Sequence, residues 1–162
     1  MIDFFDLSYL VNGSPIQQKG YKAIRSSGIL NTLRDFDPVV VGTLPLDLFT
    51  DDSDIDIICY CTNAEKLPDL SFKSKRLSGI DSFISNFNLL GFKFEIVAQP
   101  IPVREQVAFR HMVAEMKILS EKGEDFRRKI LELKQSGIKT EPAFAQLLGL
   151  EGDPYQELLR YT

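Results

Sequence analysis

At Pro100-Ile101-Pro102 this chain changes character. Upstream lie short apolar runs separated by turn residues. Downstream lie longer charged stretches whose apolar positions recur at helical spacing. A strand-rich part followed by an all-helical part fits an α+β architecture, a small mixed sheet flanked by helices with a helical C-terminal extension. The sequence shows no internal repeat and no Gly-, Pro- or Ser-rich linker. The expectation is a single domain over 1–162, with an α+β part over about 1–103 and a helical extension over about 104–162, sharing one core.

Of the 162 residues, 44% are hydrophobic and 26% charged, a globular balance that excludes a disordered chain. Nineteen Lys and Arg face 23 Asp and Glu, for a net charge of −4. Strong non-specific nucleic-acid binding needs clustered positive charge and is not expected. No apolar run approaches the roughly 18 residues of a membrane span, so no membrane association is expected. The start, Met1-Ile2-Asp3-Phe4-Phe5-Asp6, is acidic where a signal peptide would be basic. Cys59 and Cys61 lack CxxC spacing and read as small buried hydrophobes or free thiols. These features predict a cytoplasmic chain.

The spacing of Tyr21, Ile24, Leu30 and Leu33 predicts a first helix over about Gln17 to Arg34, weakened at Gly28. Pro38-Val39-Val40-Val41 is β-branched and ends at Gly42, which predicts a buried strand. Leu44 to Ser53 reads as a loop, and Asp54-Ile55-Asp56-Ile57-Ile58-Cys59 as the next strand. Residues Ile80 to Leu90 fit either a helix or a strand, because Phe83, Ser85 and Phe87 alternate while Ile80, Phe83, Ile84 and Phe87 also keep helical spacing. Phe92-Lys93-Phe94-Glu95-Ile96-Val97 is a strand. After Pro102, Glu105 to about Glu121 sets Ala108, Met112, Glu115 and Met116 along one side of a helix. Further helices are predicted over Glu124 to Gln135, from Thr140 to Leu148, and after an Asp153-Pro154 start. Lys73, Lys75 and Arg76 read as a solvated loop, with acceptor binding as the lesser alternative. His111 reads as a hydrogen-bonded helix residue at the sheet–helix interface.

Three acids stand out against this frame. On a strand, Asp54 and Asp56 point to one face while Ile55 and Ile57 point to the other, with Cα atoms about 6–7 Å apart. That span suits a pair of hard cations roughly 4 Å apart. Glu95 lies mid-strand among apolar residues, where a carboxylate is costly unless it is paired or bound to metal. Lys93 shares its face and would neutralise acids there in the absence of metal. Gly42, directly after the first strand, permits a sharp turn and a close backbone approach, and the Thr43 hydroxyl with adjacent N–H groups could contact a phosphate.

Gly42-Thr43, ten residues, Asp54-Ile55-Asp56-Ile57 and then Glu95 on a later strand resemble the signature of the polymerase-β-like nucleotidyltransferase superfamily. Phe92-Lys93-Phe94-Glu95-Ile96-Val97 resembles the third-carboxylate strand of antibiotic nucleotidyltransferases, where it forms half of a hairpin; the resemblance therefore favours a strand over 80–90. More narrowly, Ser53-Asp54-Ile55-Asp56-Ile57-Ile58, Gln99-Pro100-Ile101-Pro102-Val103, Phe109-Arg110-His111-Met112 and Lys139-Thr140-Glu141-Pro142-Ala143-Phe144-Ala145 resemble a family of bacterial domains of unknown function within that superfamily. The resemblance implies that Asp54, Asp56 and Glu95 are catalytic and hold Mg²⁺ in a two-metal site, with Glu95 as third ligand or as base for an attacking hydroxyl. It implies that Gly42, Thr43 and Ser53 meet the nucleotide. Thr43 stands where the superfamily has Ser and keeps the hydroxyl. The loop up to Ser53 carries Asp47, Asp51 and Asp52, which must point away from a triphosphate or help to hold cations.

The function so implied is Mg²⁺-dependent transfer of a nucleoside monophosphate from an NTP to a hydroxyl acceptor. Arg104, Arg110 and Lys139 are the candidate cations for the triphosphate if the C-terminal helices fold back. The rival reading is a non-catalytic module of the same fold that acts on a protein partner through its helical half.

Overall fold

The structure, a computed structural model, describes residues 2–161. Five strands form one mixed sheet in the order β1-β2-β5-β4-β3. They are β1 (Val39–Val41), β2 (Ile55–Tyr60), β3 (Lys73–Leu77), β4 (Ile80–Leu89) and β5 (Phe92–Gln99). β2 and β5 run parallel, and the other neighbours pair antiparallel. Residues 80–89 are therefore the first arm of a hairpin with β5, as the resemblance implied. The helical reading of that stretch fails because its Phe and Ser residues answer the period of the sheet.

Seven α-helices flank the sheet: α1 (Ser8–Val11), α2 (Pro15–Ser27), α3 (Ile29–Thr32), α4 (Val107–Lys122), α5 (Glu124–Gln135), α6 (Thr140–Leu148) and α7 (Pro154–Tyr161). The expected first helix begins earlier and ends sooner than its spacing suggested. Ser14 and Gln17 form a reciprocal capping box with Pro15 at the first helical position. Gly28, in the left-handed region at φ 63°, then ends α2.

The sheet separates two apolar clusters, where the sequence suggested one shared core. On one face Val40, Ile55, Ile57, Phe94 and Ile96 pack against Leu10, Ala23 and Ile24 of the N-terminal helices. On the other, Val39, Val41, Ile58 and Val97 meet Phe109, Met112, Ile130, Phe144 and Leu158 of the C-terminal helices. Ile55 and Ile57 are fully buried, each worth about 2–3 kcal/mol over exposure. Burying them fixes the register of β2, because a slip of one residue would turn both aspartates into the core.

The expected loop at Lys73, Lys75 and Arg76 is instead the exposed edge strand β3. Its charged residues alternate without an apolar face, so nothing in the local pattern marked a strand. Lysines on an edge also discourage pairing with another chain. Among the described residues no helix is long and apolar enough to cross a membrane.

Candidate active site

The pairing of β2 with β5 sets Asp56 opposite Glu95, and Asp54, one residue before β2, is near enough for its charge to act on both. Asp56 and Glu95 are on the face the C-terminal helices cover at its β1–β2 end. Between sheet and helices opens a cleft of about 310 Å³. Gly42, Thr43, Asp56 and Glu95 line one wall, and His111, Glu115, Lys134, Lys139, Thr140 and Glu141 line the other.

Gly42 is where the chain requires glycine. Its φ is 75°, and a Cβ there would sit 2.4 Å from Asp56 Oδ2. The turn thus lies against the aspartate carboxylate. Next to it, Thr43 Oγ1 is buried without a hydrogen-bond partner. Ser53 is placed differently: its hydroxyl accepts the Thr50 N–H at 3.0 Å and lies 3.1 Å from Thr50 Oγ1, closing a local turn.

The acids disturb one another. Burial pushes the Asp56 carboxyl up to about 7, helped by the charges of Glu95, Asp54 and Glu141 and opposed by Lys134. Glu95 is raised by burial and by Asp54, while Lys75 acts in the other direction. An acid raised by its own neighbours marks negative charge that the protein leaves unbalanced. A divalent cation would balance it, and carboxylate oxygens are the hard donors such an ion takes. The donor set fits Mg²⁺ in chemistry. As the side chains stand, no three His, Cys, Asp or Glu among the described residues are close enough to enclose a single ion.

Of the loop acids, Asp47 is held away from the cleft. Asp47 Oδ1 accepts from Ser14 Oγ at 2.5 Å, tying the loop to the start of α2. Gln17 donates to the carbonyls of Leu44 and Pro45, and Arg127 of α5 donates to that of Leu46. The segment after Thr43 is therefore held from both halves of the molecule.

Among the cations, Lys139 lines the cleft. Arg104 does not: its guanidinium lies over the Phe5 ring, 4.2 Å from the centroid. Arg110 lines a separate surface groove with Val113 and Lys117. Both expected positions fail because Arg104, in the turn before α4, and Arg110, on α4, face a surface away from the cleft.

The helix wall holds groups the sequence reading did not assign. Lys134 Nζ donates to Thr140 Oγ1 at 2.9 Å. Burial lowers its pKa, and the charges of Glu141, Glu115 and Asp56 counter that. Glu115 is 3% exposed, its Oε1 has no partner, and burial holds its carboxyl well above the usual range. An acid in the otherwise apolar stripe of α4 was the available signal for it. Lys134 carried none, since a lysine in the last turn of a helix is ordinary dipole compensation. His111 is buried between helices, with Nε2 2.8 Å from the Tyr155 carbonyl and Nδ1 3.5 Å from Glu141. It is the hydrogen-bonded helix residue expected, and its partners come from α6 and α7.

An open mixed sheet with one acid on β2, another just before it and a third on parallel β5, under a helical wall, is a nucleotidyltransferase-like fold. The chain belongs to the family described as a domain of unknown function (DUF4269), whose model matches residues 22–161. Among curated proteins none matches it. Of solved structures, Cid1 poly(U) polymerase with Mg 3′-dATP bound is similar over 90% of this chain and 48% of that one, at 14% identity and a TM-score of 0.51. A second Cid1 structure, an H336N mutant bound to MgATP, aligns over 87% and 47% of the two chains at 12% identity and a TM-score of 0.48. The chain thus spans about half of those polymerase chains, and the likeness is one of fold.

Proposed function

We propose that this protein transfers a nucleoside monophosphate from an NTP to a hydroxyl acceptor in the cleft between sheet and C-terminal helices. The observation that carries the reading is the register of β2 and β5, which sets Asp56 beside Glu95, with Asp54 just before β2. Asp56 in turn lies against the Gly42 turn, where a Cβ would meet its carboxylate, and Glu95 lines the same cleft.

In this reading Asp54, Asp56 and Glu95 hold Mg²⁺, which when bound would acidify the acceptor hydroxyl and neutralise the departing pyrophosphate. Gly42 and Thr43 lie where a phosphate can take the backbone N–H groups and the free Thr43 hydroxyl. Lys134 and Lys139 face the acids from the helix wall and supply positive charge for the β- and γ-phosphates. The acceptor oxygen bonds to the α-phosphorus, the α–β bridging P–O bond breaks, pyrophosphate leaves, and the hydroxyl proton passes to the Glu95 carboxylate. Residues 104–162 complete the site by furnishing its cationic wall. Mg 3′-dATP in the Cid1 structure of TM-score 0.51 supports this substrate class by analogy of fold only.

A crystal structure with Mg²⁺ and a non-hydrolysable NTP tests the reading. The expected triphosphate lies between Gly42-Thr43 and Lys134/Lys139, with metal density on the three acids. A nucleotide bound outside the cleft contradicts it.

A further inference from the structure

The cleft has cations on two sides, and nucleotide binding needs only one of them. Lys134 and Lys139 face the acids from the helices. On the opposite side, the half of this sheet face formed by β5, β4 and β3 carries a second set. Register sets the series Asp56–Glu95–Asn86 across one row of the face. Lys93 and Asn88 stand in the row before it, beside Asp54, and Lys73 stands opposite Ile84 in the row after it. Lys75, opposite Ser82, follows one row further on. Successive rows are about 7 Å apart by strand geometry.

The three lysines, Asn86 and Asn88 are exposed. None of the three ammonium groups makes an ion pair or side-chain hydrogen bond among the described residues, although Lys75 is close enough to act on Glu95. Edge protection accounts for Lys73 and Lys75 on β3. It does not account for Lys93, because β5 is an interior strand.

We propose that the open β5–β4–β3 side of this face binds the acceptor, and that the acceptor is a single-stranded oligonucleotide whose terminal hydroxyl reaches the acids while its phosphates follow the lysines. The inference rests on the transfer reading and names its acceptor. One phosphate cannot touch lysines in rows this far apart, so the ligand they fit is an extended polyanion. Exposed Asn86 and Asn88 lie between the rows and offer uncharged donors and acceptors. Three cations on a chain of net charge −4 give modest, salt-labile binding.

Fluorescence anisotropy with a labelled single-stranded RNA of about twelve nucleotides, in Mg²⁺ without NTP, tests this independently of turnover. Wild type should bind with a log–log salt slope of about −2, from about −0.7 per neutralised phosphate. Lys73→Gln/Lys75→Gln should weaken binding about tenfold and flatten the slope by about 1.4. Lys93→Gln, on an interior strand and measured separately, should flatten it by about 0.7. No binding by wild type, or equal affinity and slope in all variants, overturns the proposal. Displacement of the RNA by a nucleoside monophosphate as readily as by unlabelled RNA overturns the oligonucleotide in favour of a small phosphorylated acceptor. Binding as expected without any nucleotidyl transfer leaves this surface standing and removes the transfer reading alone.

Discussion

Asp56 and Glu95 are register partners across the only parallel strand pair of the sheet, so two carboxylates from adjacent interior strands share one face. Nothing in local packing asks for this. The opposite faces of the same strands carry Ile55, Ile57, Phe94 and Ile96, all buried, and a polar amide at either acid position would satisfy the fold. The arrangement costs stability when no cation is present, and the cost is measurable.

Asp56 sits near 7 in the folded state against an ordinary value of 3.8. The folded state therefore holds more protons than the unfolded chain between those values, and stability falls as pH rises from about 4 to about 7. Asp56→Asn removes this loss. We expect urea unfolding without divalent metal to show the variant more stable than wild type at pH 8 by about 1–3 kcal/mol, with the gap closing below pH 4. A variant less stable at pH 8 contradicts the account.

Divalent metal should reverse the same cost by binding the folded state. Millimolar Mg²⁺ or Mn²⁺ at neutral pH should raise the melting temperature of wild type by a few degrees. Asp56→Asn and Glu95→Gln should lose most of that rise. An unchanged wild-type melting temperature counts against a metal site at the three acids.

The elements that proved legible were those with a period and a boundary. Val39-Val40-Val41 before Gly42, and the alternating Asp and Ile around 54–57, predict buried strands, and both strands form, with Asp56 on β2 and Asp54 one residue before it. The spacing of Phe83, Ser85 and Phe87 is shared by helix and strand, so the hairpin came from resemblance. β3 was missed because an edge strand of Lys, Ser and Arg buries nothing that would leave a pattern. The helix wall of the cleft was half legible: Lys139 was among the candidate cations and Glu115 stood out in its stripe. Lys134, by contrast, comes near Asp56 only through the folding back of α5 and α6, a long-range fact no local window contains. The same packing carries Arg104 and Arg110 away from the cleft.

Gly42 and Gly91 separate backbone strain from site geometry. Both have positive φ, 75° and 80°, but a Cβ meets Asp56 Oδ2 at 2.4 Å only at Gly42; at Gly91 it meets nothing within 4 Å. Each Gly→Ala change should cost about 1–2 kcal/mol from the left-handed backbone. Only Gly42→Ala should also abolish the metal-dependent rise in melting temperature. An intact metal response in Gly42→Ala would show that the turn does not border the site.

His111 faces acceptors at both ring nitrogens, the Tyr155 carbonyl and the Glu141 carboxylate. Burial disfavours the imidazolium, but these two partners outweigh it and its pKa is raised; Arg110 on its own helix opposes them. The sign follows: its contribution is full below the unfolded value of about 6.5 and is lost as pH rises through the folded one. His111→Phe should destabilise the protein by about 1–3 kcal/mol at pH 6 and by less at pH 9. Equal destabilisation at both pH values contradicts the doubly bonded imidazolium.

The central claim is that the acids on β2 and β5 perform nucleotidyl transfer, and one comparison tests it most directly. Wild type and Asp56→Asn are incubated with α-labelled ATP, GTP, CTP and UTP in turn, with Mg²⁺ and the single-stranded RNA used for binding, plus cell extract as a second acceptor source. Label incorporated by wild type, with stoichiometric pyrophosphate, and none by the folded Asp56→Asn variant is the result the account predicts. No incorporation and no pyrophosphate from either protein, across all four nucleotides and both acceptor sources, would contradict it and leave a non-catalytic module of the same fold.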